Sequence, residues 1–367
     1  MGKTGGLRVL KDLQAYELLQ QQTIDDIHAE GYLLRHKKSG ARVVILENDD
    51  ENKVFNITFR TPPANSTGVP HIIEHTVLCG SREFPLKDPF IELAKGSLNT
   101  FLNAMTFSDK TMYPVASCND QDFKNLMHVY LDAVFYPNIY RNDKVFQQEG
   151  WSYHLDSVDG PLTYNGVVYN EMKGATSSVE DIMYQATMKE MFKDTYLRYN
   201  SGGNPKYITD LTYEMYKDVY KKHYIPENSL SFFYGDIDIK EKLKFLDKEY
   251  FSIYKKQGIN IGFFKQKPYV KENIEILYPL SNDEELKDNT YINLCYSLGD
   301  YSNSKEILAM DIVLTSLFFI IFAISYDKGV IAFCLFGLAS IFSLFNTVFF
   351  IYNQGITIRA KDIIIID

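Results

Sequence analysis

The chain has 367 residues, of which 46% are hydrophobic, so it is long and apolar enough for about two domains with sizeable cores. Its formal net charge is −9 and it carries no basic block, so a nucleic-acid partner is not expected. Four widely separated cysteines without a CxxC pair favour free thiols in a reducing compartment over a disulfide framework or a thiolate zinc site.

The first residues lack the apolar segment and cleavage site of a secretion signal. We therefore expect a cytoplasmic protein, with a mitochondrial or other organelle matrix as the alternative.

The first predicted elements are two strands and a helix. "ARVVILEN" (41–48) and "KVFNITFRT" (53–61) have the composition of strands, and the acidic turn "DDEN" joins them. The following segment, "GVPHIIEHTVLCG" (68–80), is predicted to be a helix because its apolar residues line one side. Gly80 is expected to close this helix as a C-cap.

Further along, residues 97–117 are typical of a hairpin or a long edge strand. Residues 119–137 predict a strong helix that is capped by Asn119 and ended by Pro137. Another helical region covers 164–192, with a break near Gly174, and 228–238 returns to strand. Strand pairs flanked by long helices indicate an α/β fold class.

A faint internal repeat follows this region. Strand, acidic turn, strand and helix recur over 273–314, and the second helix carries no histidine. The repeat predicts that a second domain of the same build begins near residue 270, without a metal site.

The composition then changes, since residues 312–326 and 330–358 contain no charged side chain. The stretch 330–352 has 23 residues, enough to cross a bilayer, and with 312–326 it forms a candidate membrane hairpin. The other interpretation is an aberrant or frameshifted tail. The repeat favours that interpretation, because the second domain is cut off at its first helix.

The candidate site lies in the histidine segment. His71 and His75 are four positions apart, so on a helix they share a face and can bind one ion. Glu74 lies beside them, close enough to act on a water at that ion, and the order HxxEH is the inverzincin signature. Two core or surface histidines without a metal are the alternative.

A catalytic zinc usually takes a third protein ligand. Many carboxylates are available, and Glu171 stands out because an unpaired carboxylate is costly to bury in an apolar helix. The alternative for Glu171 is an exposed helix face. His128, His154 and His223 are expected to be packed or capping residues rather than ligands.

Three segments carry a family resemblance: "GVPHIIEHTVLCGSREFPLKDPF", "LNTFLNAMTFSDKTMYPVAS" and "YNGVVYNEMKG". They resemble the pitrilysin-type zinc peptidases of the presequence protease and falcilysin branch, and the similarity extends from about residue 20 to about residue 315. The resemblance implies one zinc ion per chain, with His71, His75 and Glu171 as ligands and Glu74 as general base. It also implies that Asn103 and Ala104 mark a sheet edge to which substrate adds as a strand, although ordinary strand residues are an equal alternative.

The resemblance further implies a mixed, largely antiparallel sheet covered by long helices, followed by the start of a second similar domain. We place the zinc-bearing domain at 1–265, the truncated second domain at 266–315 and the apolar tail at 316–367. Such enzymes have two halves that close over a chamber and admit unfolded peptides. The sequence resembles an N-terminal fragment without the C-terminal half.

Three functions are compatible with these features. The first is a zinc endopeptidase that hydrolyses short unstructured peptides. The second is a catalytically inactive, truncated relative that acts as a peptide-binding or structural partner. The third is a membrane-tethered peptidase anchored by residues 312–352.

Overall fold

The computed structural model describes residues 13–87, 89–259, 261–262, 266–267, 273–279, 290–297, 304–326 and 351–360. Its contacts divide the chain into two compact units. Unit 1 comprises the residues up to Asp181 together with Phe192–Gln266, and unit 2 comprises Ile182–Met191 with Lys267–Asp367. The domain boundaries given above stay a prediction.

Unit 1 is built on an eight-stranded mixed sheet with the order β1-β2-β3-β10-β4-β7-β5, in which β6 also pairs with β7. Its strands, with the separate β8–β9 hairpin, are β1 Tyr16–Ile24, β2 Ala29–His36, β3 Arg42–Glu47, β4 Lys53–Arg60, β5 Asn99–Leu102, β6 Met105–Thr106, β7 Lys110–Ser117, β8 Ser152–His154, β9 Thr163–Asn165 and β10 Ser229–Gly235. All neighbouring strands are antiparallel except β3 and β10, which are parallel. The expected α/β class with a largely antiparallel sheet is confirmed.

The two strands predicted around the acidic turn are present as β3 and β4, but they do not pair with each other. β10 lies between them, so that Phe232 faces Val44 on one side and Asn56 on the other. The burial of β10 alternates along the strand, as expected when one face of a strand contacts the core. The inserted strand comes from a segment far along the chain, and no local signal predicts that pairing.

Nine α-helices among the described residues belong wholly or partly to unit 1. They are α1 Val69–Val77, α2 Pro89–Gly96, α3 Asp120–Phe135, α4 Asp143–Glu149, α5 Val167–Ala175, α6 Val179–Met191, α7 Pro205–Ile208, α8 Tyr213–His223 and α9 Ile239–Leu246.

The helix predicted at 119–137 is α3, and it supplies much of the core. The side chain of Asn119 accepts a hydrogen bond from the Asp122 N–H at 3.0 Å, and Pro137 follows the C-cap, as predicted. The apolar side chains of Leu126 and Val134 are fully buried. Each such burial contributes roughly 1.5–3 kcal/mol relative to exposure.

The structure shows two further details of the predicted elements. Residues 97–117 form a hairpin whose first arm is broken into β5 and β6. The predicted break near Gly174 separates α5 from α6.

The expected C-cap at Gly80 is wrong. Helix α1 ends at Val77, and its cap residue Leu78 keeps right-handed helical geometry. Gly80 lies two residues further on with φ +103°, and a Cβ there would approach the Leu86 carbonyl oxygen to 2.5 Å. The glycine is therefore required by the turn rather than by the helix end.

Among the residues that the structure describes, unit 2 contains the last ten residues of α6, one further α-helix and a three-stranded sheet. Its remaining elements are β11 Asn273–Tyr278, β12 Thr290–Ser297, α10 Ser304–Tyr326 and β13 Ile351–Ala360. β13 lies between β11 and β12, parallel to the first and antiparallel to the second. The predicted strand, strand and helix of 273–314 are thus present, whereas the acidic turn at 281–288 lies outside the described residues.

The apolar run 312–326 belongs to α10. Within the described part of the chain, neither α10 nor any other helix is long and apolar enough to cross a membrane. Residues 330–350 of the second apolar run lie outside the described residues.

Candidate metal centre

Helix α1 positions the two histidines of the motif. Ile72, Ile73 and Val77 are fully buried and anchor the helix in the core of unit 1. His71 and His75 line a cleft, with their ring centroids 4.9 Å apart.

Glu171 reaches the same point from helix α5. Its Oε2 lies 3.7 Å from His71 Nε2 and 3.8 Å from His75 Nε2. Among the described residues, these three form the only group whose potential ligand atoms all lie within 4.8 Å of one another.

Glu171 is not buried, contrary to the expectation from its apolar helix. Its side chain is 53% exposed, because α5 buries Val168 and presents Glu171 to the cleft. Glu171 therefore lies on an exposed face of α5 that is opposite the histidine pair, and its role as a ligand stays a prediction.

Each histidine is also held at its other ring nitrogen. His71 Nδ1 donates to the Gly202 carbonyl at 3.1 Å, and a carbonyl can only accept. His75 Nδ1 lies 3.3 Å from Glu149 Oε2. With the hydrogens on Nδ1, both Nε2 atoms present lone pairs towards Glu171.

The charges around His75 favour a cation at this site. Burial alone lowers the pKa of His75, but the Glu149 hydrogen bond and the charges of Glu74, Glu149 and Glu171 outweigh it, so the net pKa is raised. For Glu149, burial raises the carboxyl pKa, and the hydrogen bonds from His75 and Gln148 turn the net shift downwards.

Glu74 is buried beside the histidines and forms a hydrogen bond with Thr106. Its side chain is 8% exposed, and its Oε2 accepts a hydrogen bond from Thr106 Oγ1 at 2.5 Å. Thr106 belongs to β6, so a residue of the sheet edge fixes the orientation of this carboxylate.

Asn103 and Ala104 lie in the gap between β5 and β6 rather than within a strand. The Asn103 N–H donates to the Pro114 carbonyl at 3.2 Å, and the Ala104 N–H donates to Asn103 Oδ1 at 2.9 Å. Both residues line the cleft. In the described structure, β5 and β6 have β7 as their only strand neighbour, so this is an open sheet edge. A substrate-binding role for the two residues stays a prediction.

The cleft has a volume of about 800 Å³ and contains all six predicted site residues. Its carboxylates are Glu74, Glu149 and Glu171, and none of the described residues that line it is Lys or Arg. The apolar part of the cleft wall includes Phe90, Ile91 and Phe107.

The donor set fits zinc. Two imidazole nitrogens and one carboxylate are a usual set of protein ligands for a catalytic zinc, which keeps its fourth position open. Zinc bonds of about 2.0–2.1 Å place tetrahedral ligand atoms roughly 3.3–3.4 Å apart. The separations of 3.7 and 3.8 Å in the structure need to contract by only a few tenths of an ångström.

The other histidines named above have ordinary partners. His128 pairs with Glu83 at 3.2 Å, and the exposed His154 pairs with Asp156 at 2.8 Å. His223 is buried, and its Nδ1 lies 2.9 Å from the Arg60 carbonyl oxygen.

Comparison with known proteins identifies the family. Residues 210–326 match the model of the "Peptidase M16 inactive domain". Over 299 residues the chain is 46% identical to Protein HypA of Clostridium perfringens, covering 81% of this chain and 31% of that protein. It is 43% identical over 275 residues to Presequence protease 1, chloroplastic/mitochondrial, of Arabidopsis thaliana, covering 74% and 25% of the two chains. The chain belongs to the pitrilysin-type M16 peptidases, in the presequence protease branch.

This M16 chain also shares its fold with a solved member of the family. A crystal structure of pitrilysin superposes with a TM-score of 0.52 at 16% identity, covering 72% of this chain and 27% of pitrilysin. The M16 chain spans less than a third of the length of the curated relatives named above. The match to the inactive-domain model begins after Glu171, so it includes none of the six predicted site residues.

Three residues of the candidate site were not predicted from the sequence: Thr106, Glu149 and Gly202. Thr106 and Glu149 bond to motif residues 32 and 74 positions away, and Gly202 lies 131 positions from His71. Only the fold creates these contacts, and no local spacing signals them.

Proposed function

We propose that this M16 chain is a zinc-dependent endopeptidase that hydrolyses short unstructured peptides. The observation that carries the proposal is the convergence of His71, His75 and Glu171 beside Glu74 in one open cleft. Relatives named as presequence proteases support the same class of reaction.

In this proposal, His71 Nε2, His75 Nε2 and the Glu171 carboxylate hold one zinc ion per chain. When bound, zinc acts as a Lewis acid that polarises a peptide carbonyl and makes water more acidic. The hydrogen bonds at both Nδ1 atoms keep the two imidazoles in the tautomer that offers Nε2 as a ligand.

Glu74 is the proposed general base. It takes a proton from the attacking water while the water oxygen bonds to the peptide carbonyl carbon. When the carbon–nitrogen bond breaks, Glu74 returns the proton to the leaving amine. The hydrogen bond from Thr106 restricts the carboxylate to one orientation during both transfers.

The peptide is proposed to add as an extended strand at the open edge near Asn103 and Ala104. Main-chain hydrogen bonds supply most of the affinity in this mode of binding, so it tolerates varied sequences. A further half of the kind implied by the resemblance would close the cleft over the peptide. We place the chain in the cytoplasm or an organelle matrix. The curated relatives include a bacterial protein and others named as mitochondrial or chloroplastic.

The test compares the parent with Glu74→Gln in zinc content and in cleavage of a fluorogenic unstructured peptide. We expect one zinc per chain in both proteins and a loss of cleavage of about 10²–10⁴-fold in the variant, the range for loss of general acid–base catalysis. Glu83→Gln is the matched control, because Glu83 pairs with His128 outside the cleft. Equal cleavage by Glu74→Gln and the parent would refute the mechanism.

The second candidate is an inactive relative that binds peptides or acts as a structural partner. The observation behind it is that the chain spans only 31% and 25% of the lengths of the two curated relatives named above. A parent that binds zinc and peptide but leaves the peptide intact would establish this second function.

A further inference from the structure

Glu149, the last residue of α4, lies where its carboxylate contacts the site from outside the ligand group. The residue is 8% exposed. Its Oε2 lies 3.3 Å from His75 Nδ1, and its Oε1 accepts a hydrogen bond from Gln148 Nε2 at 2.8 Å. Both oxygens are therefore engaged, one by the neighbouring residue and one by the histidine.

A buried carboxylate is costly unless it is paired and hydrogen-bonded. Glu149 meets this condition through His75, and it is not a member of the group formed by His71, His75 and Glu171. Glu149 would therefore act on a bound ion only through the imidazole of His75, whose Nδ1 it contacts.

The two histidines differ in the groups that hold them. His71 Nδ1 meets the neutral carbonyl of Gly202, whereas His75 Nδ1 meets a carboxylate. A carboxylate acceptor fixes the tautomer and ring orientation of an imidazole and increases the electron density at the opposite nitrogen. His75 should therefore be the stronger of the two nitrogen ligands.

We infer that Glu149 is a positioning residue of the metal centre, which strengthens zinc binding by orienting and polarising His75. The inference rests on the proposed function, because it requires His75 to be a zinc ligand. It assigns to α4 a role in the centre that neither the HxxEH motif nor Glu171 supplies.

The experiment measures the zinc dissociation constant of the full chain by competition with a chromophoric chelator at one fixed pH. Glu149→Ala removes the acceptor, and we expect zinc to bind 10–100-fold more weakly, the range measured for outer partners of metal-binding histidines. Glu149→Gln keeps the shape and a neutral acceptor, so its affinity should fall between those of Glu149→Ala and the parent. Glu83→Gln again serves as control, since it weakens a carboxylate–histidine pair that is remote from the cleft.

The melting temperature of each metal-free protein is measured alongside, and affinities are compared where all the proteins are folded. Parent-like zinc affinity in folded Glu149→Gln and Glu149→Ala would overturn the inference while leaving the proposed function intact. Failure of the parent itself to bind zinc would instead refute the proposed function.

Discussion

In both units, a strand from later in the chain lies between two earlier strands. The units differ in the helix that follows those two earlier strands along the chain. In unit 1, β10 lies between β3 and β4, parallel to the first and antiparallel to the second. In unit 2, β13 has the same relation to β11 and β12. The next helix in unit 1 is α1 with its HxxEH motif, whereas α10 in unit 2 contains no histidine.

The strand arrangement therefore does not depend on the candidate metal site. The site requires additional elements of unit 1: α5 for Glu171, α4 for Glu149, β6 for Thr106 and the loop that carries Gly202. The proposed chemistry thus depends on a few positioned side chains rather than on the strand arrangement itself.

The largest expected effect is on zinc affinity, which should depend on the motif histidines and not on the structural ones. His71→Ala should weaken zinc binding by more than about 100-fold, because loss of an outer partner alone costs 10–100-fold. His128→Ala should leave the zinc dissociation constant near that of the parent, and chelator competition measures both. Equal losses in the two variants would show that His71 has no special relation to the metal.

The next largest effect is on the free energy of unfolding, compared between an isoleucine of α1 and an isoleucine of α10. Ile72 in α1 is fully buried, whereas Ile312 in α10 is 59% exposed. Ile72→Ala should lower the free energy of unfolding by about 2–5 kcal/mol, since it leaves a cavity. Ile312→Ala should change it by no more than about 0.5 kcal/mol. Urea unfolding followed by circular dichroism provides the values, and similar losses at both positions would contradict the comparison.

A smaller effect concerns the edge strand of unit 1. Thr106→Val removes the hydrogen bond to Glu74, and peptide cleavage should fall about 10-fold, equivalent to about 1.4 kcal/mol. Zinc affinity should be unchanged, and Thr106→Ser, which keeps a hydroxyl, should recover most of the rate.

The control for this edge is Thr100→Val. Thr100 lies in β5, and its hydroxyl donates to Asn52 at 2.5 Å rather than to a motif residue. A similar loss of cleavage in Thr100→Val would assign the effect to the strand and not to the Glu74 contact.

The smallest expected effect is a pH dependence of folding stability. It is expected in unit 1 alone, since unit 2 contains no histidine. Burial lowers the pKa of both His36 and His223 in the folded chain. The unfolded chain therefore binds more protons below its own histidine pKa of about 6.5. Their contribution to stability is complete above that pH and is lost as the pH falls from about 6.5 towards the lowered folded pKa values.

Urea unfolding at pH 7.5 and 5.5 tests this expectation. His36→Gln should reduce the difference between the two pH values, whereas His154→Gln, at an exposed position, should not. An unchanged pH dependence in His36→Gln would exclude that residue as a source.

Local signals predicted the elements that depend on local interactions. The Asn119 cap and Pro137 stop located α3, apolar spacing located α1, and strand composition located β3 and β4. The motif spacing placed His71 and His75 on one face of a helix, which the structure reproduces.

The remainder depended on contacts that sequence spacing does not encode. The insertion of β10, the Glu149 partner of His75 and the Thr106 partner of Glu74 arise from tertiary packing. The exposure of Glu171 was misjudged, because an apolar stretch does not reveal which helix face is buried.

The backbone contact between Gly68 and the Gly202–Gly203 pair has a consequence for the tolerance of this centre to mutation. A Cβ at Gly68 would lie 2.7 Å from the Gly202 carbonyl oxygen, the same oxygen that holds His71 Nδ1. A single methyl group added at Gly68 would therefore displace the Gly202 carbonyl, the partner of His71, without altering any proposed ligand. A substitution at Gly68 would therefore misalign the proposed centre even though both histidines and both glutamates are kept.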